Sequence, residues 1–106
     1  MNKEEFEKVI TGRIAKCFDV LADKAEEYAT SDRLHNFKVA AQLQGVTAIA
    51  ALGGMMAKHT VSIYDLINDF ESGKDVPCEL WDEKIGDHIN YLLLLTALIE
   101  EGEGIC

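Results

Sequence analysis

Apolar residues recur along the first quarter of the chain at alternating steps of three and four: Phe6, Ile10, Ile14, Cys17, Leu21, Ala25 and Tyr28. That period puts them on one face and predicts a long amphipathic α-helix from Lys3 to about Ala29. The polar run Ala29-Thr30-Ser31-Asp32-Arg33 ends it. Ser31 or Asp32 can cap a second, short helix reaching about Leu43, by accepting a bond from its free amides. Gly45 supplies the next stop, and Thr47 starts a third helical region that reads Ala48-Ile49-Ala50-Ala51-Leu52. Two adjacent glycines, Gly53 and Gly54, interrupt it at a cost of about 2 kcal/mol of helix propensity relative to alanine. Such a pair marks either a break or a close approach of another helix, and we read it as close approach. Helicity continues through Met55-Met56, Ile63, Leu66, Ile67 and Phe70 until Ser72-Gly73-Lys74-Asp75-Val76-Pro77 makes a loop.

A last helix is predicted from near Glu79 to Glu101, ended by Gly102 and Gly104. Its second half, Tyr91-Leu92-Leu93-Leu94-Leu95 and then Ala97-Leu98-Ile99, is apolar on every side, which suits the centre of a bundle or a subunit interface. No strand-period alternation competes. The expected architecture is a single all-α domain over residues 1–106, a bundle of four to five helices. The surplus of apolar surface on the last helix and around Gly53-Gly54 predicts a homodimer or higher homo-oligomer.

Charge narrows the partners. A net charge of −9 on 106 residues repels phosphate backbones, and no basic patch offsets it, so no nucleic-acid polymer is expected as a partner. A small nucleotide is a different case, because a divalent cation held by carboxylates neutralises its phosphates. Three cysteines, Cys17, Cys78 and Cys106, stand at wide spacings without a Cys-x-x-Cys pair, which fits a reducing cytoplasm. The start Met1-Asn2-Lys3-Glu4-Glu5 lacks a signal-peptide pattern, and no apolar stretch has the length of a membrane span, so no membrane partner is expected.

The most informative polar stripe is Glu83, Asp87 and Asn90, which share a narrow arc that continues as Leu94 and so leads into the core. Carboxylates four residues apart can share a divalent cation, and Asn90 can add a neutral oxygen or hold a ligand by its amide; a plain solvated helix end gives the same pattern. Near the end of the first helix, Lys24 joins the apolar face, where it either snorkels or binds phosphate, and Glu27 flanks that face as a metal candidate. Lys58 shares a polar stripe with Ser62 and Asp65, while His59 lies on the adjacent stripe with Ile63, Leu66 and Phe70. That histidine is either a hydrogen-bonded core residue or a contact for a base or phosphate. Arg33, Asn36 and Phe37 on the first connection can grip an anion and stack a ring. There is no Walker-type phosphate loop, dinucleotide glycine fingerprint, His-Glu-x-x-His or Gly-x-Ser-x-Gly, so metal-assisted chemistry is the class left open.

The segment Glu83-Lys84-Ile85-Gly86-Asp87-His88-Ile89-Asn90-Tyr91-Leu92 resembles the second signature helix of the MazG-like, all-α nucleoside triphosphate pyrophosphatases. Glu27-Tyr28-Ala29, the turn from Asp32-Arg33 to Asn36-Phe37, Lys58-His59-x-Val61-Ser62 and Asp65 look like a group of small, mostly phage-encoded proteins near that superfamily. The resemblance implies a nucleotide pyrophosphohydrolase of a phage or prophage that yields a monophosphate and pyrophosphate. It implies Mg²⁺ as cofactor, with Mn²⁺ as a substitute, on Glu27, Glu83 and Asp87. Lys24, Arg33, Asn36, Lys58, His59 and Asn90 would face the small-molecule nucleotide. The family pattern is Glu-x-x-Glu followed later by Glu-x-x-Asp. Here Lys84 occupies the position of the glutamate before Asp87, and Glu83 stands one residue early. That departure keeps a second expectation open, a non-catalytic phage or prophage helical protein that binds a nucleotide or a protein partner.

Overall fold

The computed structural model describes residues 1–27 and 32–102, and of residues 24–27 the backbone alone. Tyr28, Ser31, Gly104 and Cys106, and the side chains of Lys24, Ala25 and Glu27, therefore lie outside the described residues. The described chain forms four α-helices and no strand: α1 (Lys3–Glu27), α2 (His35–Gln44), α3 (Ala48–Glu71) and α4 (Cys78–Gly102). The expected all-α bundle is present, with four helices.

Local chemistry sets the helix ends. Asn2 Oδ1 accepts the Glu5 N–H at 2.8 Å, and Glu4 and Glu5 place negative charge at the positive end of α1. Asp32 Oδ1 accepts the Leu34 N–H at 3.0 Å, an Asx turn two residues before α2's cap residue Leu34, so Asp32 feeds the helix without being its cap. Gly45, at φ +69°, closes α2 in the left-handed conformation that glycine adopts without strain, and the Val46 N–H returns to the Ala41 carbonyl at 3.0 Å. Thr47 Oγ1 then caps α3 by accepting the Ala50 N–H at 3.1 Å. Between them, these two residues turn the chain by 100° from α2 into α3.

Packing runs α2 on α3, α3 on α4 and α1 on α4. The buried centre is Leu34, Phe37, Leu52 and Leu98, with Ile49, Met55, Met56, Tyr91, Leu94 and Leu95 packed around it. It lies where the start of α2, the first half of α3 and the second half of α4 converge. Lys38 pins that end, with Nζ 2.6 Å from Asp32 Oδ2 and 2.5 Å from Glu101 Oε1.

Two expectations change. Gly53 and Gly54 lie within α3 but are exposed, and among the described residues no atom outside the helix's own backbone comes within 4 Å of where a Cβ would stand, so no described helix approaches there. The second half of α4 is not covered on every side, since Leu92 and Leu93 are 46% and 45% exposed. Three partner helices cannot enclose a fourth completely when one of them, α2, packs on α3 instead. The predicted apolar face of α1 is likewise open at Phe6, Ile10 and Ile14, and buried at Cys17. No single helix among the described residues is long and apolar enough to cross a membrane.

Candidate functional site

Helix α1 meets α4 through a polar cluster centred on Asp82. The Arg13 guanidinium donates to the Asp82 carboxylate and, at 3.2 Å, to its backbone carbonyl, while Lys16 Nζ lies 3.1 Å from Asp82 Oδ2. One turn further along both helices, Cys17 Sγ lies 3.9 Å from the Gly86 carbonyl oxygen. Gly86 faces the Arg13 side chain: a Cβ there would stand 3.6 Å from Arg13 Nη1, an ordinary van der Waals contact. Hydrogen bonds from Lys16 and Arg13 hold the Asp82 carboxyl below the ordinary carboxylate range. Burial pushes the Cys17 thiol up, so this cysteine is a packed thiol and not a ready nucleophile.

Beside this contact runs a groove of about 480 Å³ between α1 and α4. Glu83, Gly86, Asp87 and Asn90 form its α4 wall, and Arg13, Lys16, Cys17, Asp19 and Val20 its α1 wall. Its two cations are already engaged by Asp82, while Asp19, Glu79, Glu83 and Asp87 add four further carboxylates, so the groove is electronegative. Toward the C-terminal half of α4 it passes into a smaller pocket of about 110 Å³. Val20, Asp87 and Asn90 line both spaces. The smaller one is walled by the rings of Phe37 and Tyr91 with Met55 and Leu94, and carries Arg33 and Asn36. Phe37 meets Tyr91 edge-on, with centroids 6.2 Å apart and ring planes at 77°.

The structure thus gathers five of the residues singled out from the sequence, namely Glu83, Asp87, Asn90, Arg33 and Asn36, along one continuous cleft. Lys58 and His59 are not part of it. His59 packs behind Tyr91, ring against ring at 4.5 Å, and burial, reinforced by the charges of Lys58, Lys84 and His88, lowers its pKa against the opposing pull of Asp87. Lys84 also lines neither space, and its charge is felt by His59 instead. A step of about 100° along the helix explains this: Glu83 faces the groove and its neighbour does not. Glu83 is therefore the residue of this pair on the wall.

Sequence reasoning passed over Arg13, Lys16 and Asp82. Their signal was local: Arg13 and Lys16 stand three residues apart and so share a face, and Asp82 lies one residue before the acidic stripe. Among the described residues, no three His, Cys, Asp or Glu side chains converge closely enough to hold a metal by themselves. Glu83 and Asp87 nevertheless fit hydrated Mg²⁺, which uses one or two carboxylates and completes its shell with water and substrate phosphate. Compared with known protein families, curated proteins and solved structures, the chain gives no match.

Proposed function

We propose that the chain is a MazG-like nucleoside triphosphate pyrophosphohydrolase, similar to small phage- or prophage-encoded members, acting on a cytoplasmic nucleotide with Mg²⁺. The observation that carries this reading is the continuity of the cleft: Asp87 belongs at once to a carboxylate-lined groove and to a ring-lined pocket. A nucleotide has the same two-part character, a polyanion at one end and a flat ring at the other.

In this reading Phe37, Tyr91 and Met55 shelter the base, and Arg33 and Asn36 supply polar contacts at its edge. Glu83 and Asp87 would hold the metal, with Glu27 as the third carboxylate the resemblance implies, and the ion would supply charge neutralisation and polarisation of a phosphoryl oxygen. Arg13 and Lys16 are held by Asp82, so in this reading the charge of the polyphosphate would be met by the metal on the acidic wall. Water would add at the α-phosphorus and release a proton to solvent, the bond from that phosphorus to the oxygen bridging to the β-phosphate would break with the oxygen leaving on pyrophosphate, and the monophosphate would keep the water's oxygen.

The test is a screen of ribo- and deoxynucleoside triphosphates with Mg²⁺ or Mn²⁺, reading monophosphate and pyrophosphate. At least one substrate is expected to turn over, and Asp87→Asn to abolish it; no turnover at high enzyme concentration sinks the enzymatic reading. The alternative of a nucleotide-binding protein without catalysis is favoured by one observation, the absence of a three-ligand metal group among the described residues. It predicts stabilisation by nucleotide without product.

A further inference from the structure

One feature of the cleft has no explanation in contacts among the described residues. Asn90 is 6% exposed, and its Oδ1 is buried without a hydrogen-bond partner among them. A buried carbonyl left unsatisfied costs stability, and a leucine of similar size would avoid that cost. Asn90 lines both the groove and the ring-lined pocket, so its side chain stands at their junction.

Asn90 follows Asp87 by one turn of α4, about 4.5 Å along the helix axis. If the phosphates lie at Glu83 and Asp87 and the base enters the pocket of Phe37 and Tyr91, the sugar falls at Asn90. An orphaned acceptor needs a donor. Ionised phosphate oxygens offer none, whereas each sugar hydroxyl offers one. Resting on the nucleotide reading above, we infer that Asn90 is the specificity-determining residue of the cleft, its Oδ1 accepting a hydrogen bond from a sugar hydroxyl of the bound nucleotide. The oxygen is left open in the free protein because the ligand supplies its partner.

The experiment is a thermal-shift titration of the full chain with Mg²⁺ and non-hydrolysable α,β-methylene triphosphates in ribo, 2′-deoxy and 2′,3′-dideoxy form. Apparent affinity is expected to fall about tenfold at the step that removes the hydroxyl. Asn90→Leu is expected to melt higher than the wild type when free and to bind all three forms alike. The wild-type series needs no variant, so the inference stays falsifiable if Asn90→Leu fails to fold. Equal binding of the three forms by the wild type overturns the role of Asn90 and leaves the nucleotide reading standing. No stabilisation by any of them overturns both. Stabilisation by Mg²⁺ alone that Asn90→Leu abolishes makes the oxygen a metal ligand and also overturns the inference.

Discussion

His59 lies against Tyr91 with ring centroids 4.5 Å apart and planes tilted by 35°, so a histidine of α3 backs the aromatic wall of the cleft. Burial holds the imidazole pKa below its ordinary value near 6.5. As pH falls through that value, the unfolded chain takes up the proton before the folded one does, so this contribution to stability is complete above about 6.5 and is lost below it. Urea unfolding is expected to show a lower midpoint at pH 5.5 than at pH 7.5, and His59→Gln to flatten that difference. An unchanged slope in the variant would assign the acid sensitivity elsewhere.

Asp82 is the residue through which α1 is tethered. Its carboxyl pKa is lowered, first by Lys16 and then by Arg13, so its contribution is present above the ordinary carboxylate range and lost as pH falls below it. Asp82→Ala is expected to loosen α1 from α4 while α2, α3 and the rest of α4 stay packed. Amide exchange is the measurement: protection should drop in the Arg13–Cys17 turn and stay high at Leu52 and Leu98, which belong to the other side of the bundle.

The four helices were legible because their signals are local. Gly45 and Thr47 act where their sequence context places them, and the Glu83, Asp87 and Asn90 stripe follows from helical periodicity alone. The partner wall was not legible. Whether Arg13 reaches Asp82, 69 residues away, is decided by how α1 lies on α4, and periodicity carries no information about that. Of the two readings of His59, the structure fits the core one: with Leu66 it is turned inward, here against the back of Tyr91 and not into the cleft, while Phe70 at the end of the same stripe is exposed. Gly53 and Gly54 show the limit most plainly, since the same pair suits a close crossing or an open surface, and the fold uses the open one.

That openness has a direct consequence. Alanine at Gly53 or Gly54 meets no atom within 4 Å, and it removes the backbone freedom that glycine loses on folding. Gly53→Ala and Gly54→Ala should each stabilise the chain by about 0.5–1 kcal/mol, read from urea unfolding. A loss of stability that depends on protein concentration would show instead that a second copy packs on this surface.

The open apolar positions of α1, Phe6, Ile10, Ile14 and Phe18, predict self-association. Light scattering at micromolar concentration is expected to give at least a dimer, and Ile14→Glu to shift it to monomer without loss of helicity. A wild-type monomer under those conditions refutes the expectation.

The strongest test of the acidic wall does not need a substrate. Glu79, Glu83 and Asp87 follow one another at intervals of four residues on α4 and all line the groove, so Glu83 faces a like charge one turn above and one turn below. Each such pair destabilises a helix by about 0.2–0.5 kcal/mol. Glu83→Gln removes both, and the free protein should become more stable by about 0.4–1 kcal/mol. A divalent cation relieves the same repulsion in the wild type, so Mg²⁺ should raise the wild-type melting temperature and affect Glu83→Gln much less. Equal Mg²⁺ responses in both chains would mean that the cation binds elsewhere. A less stable Glu83→Gln would show that this carboxylate holds the fold together and is not kept for a ligand.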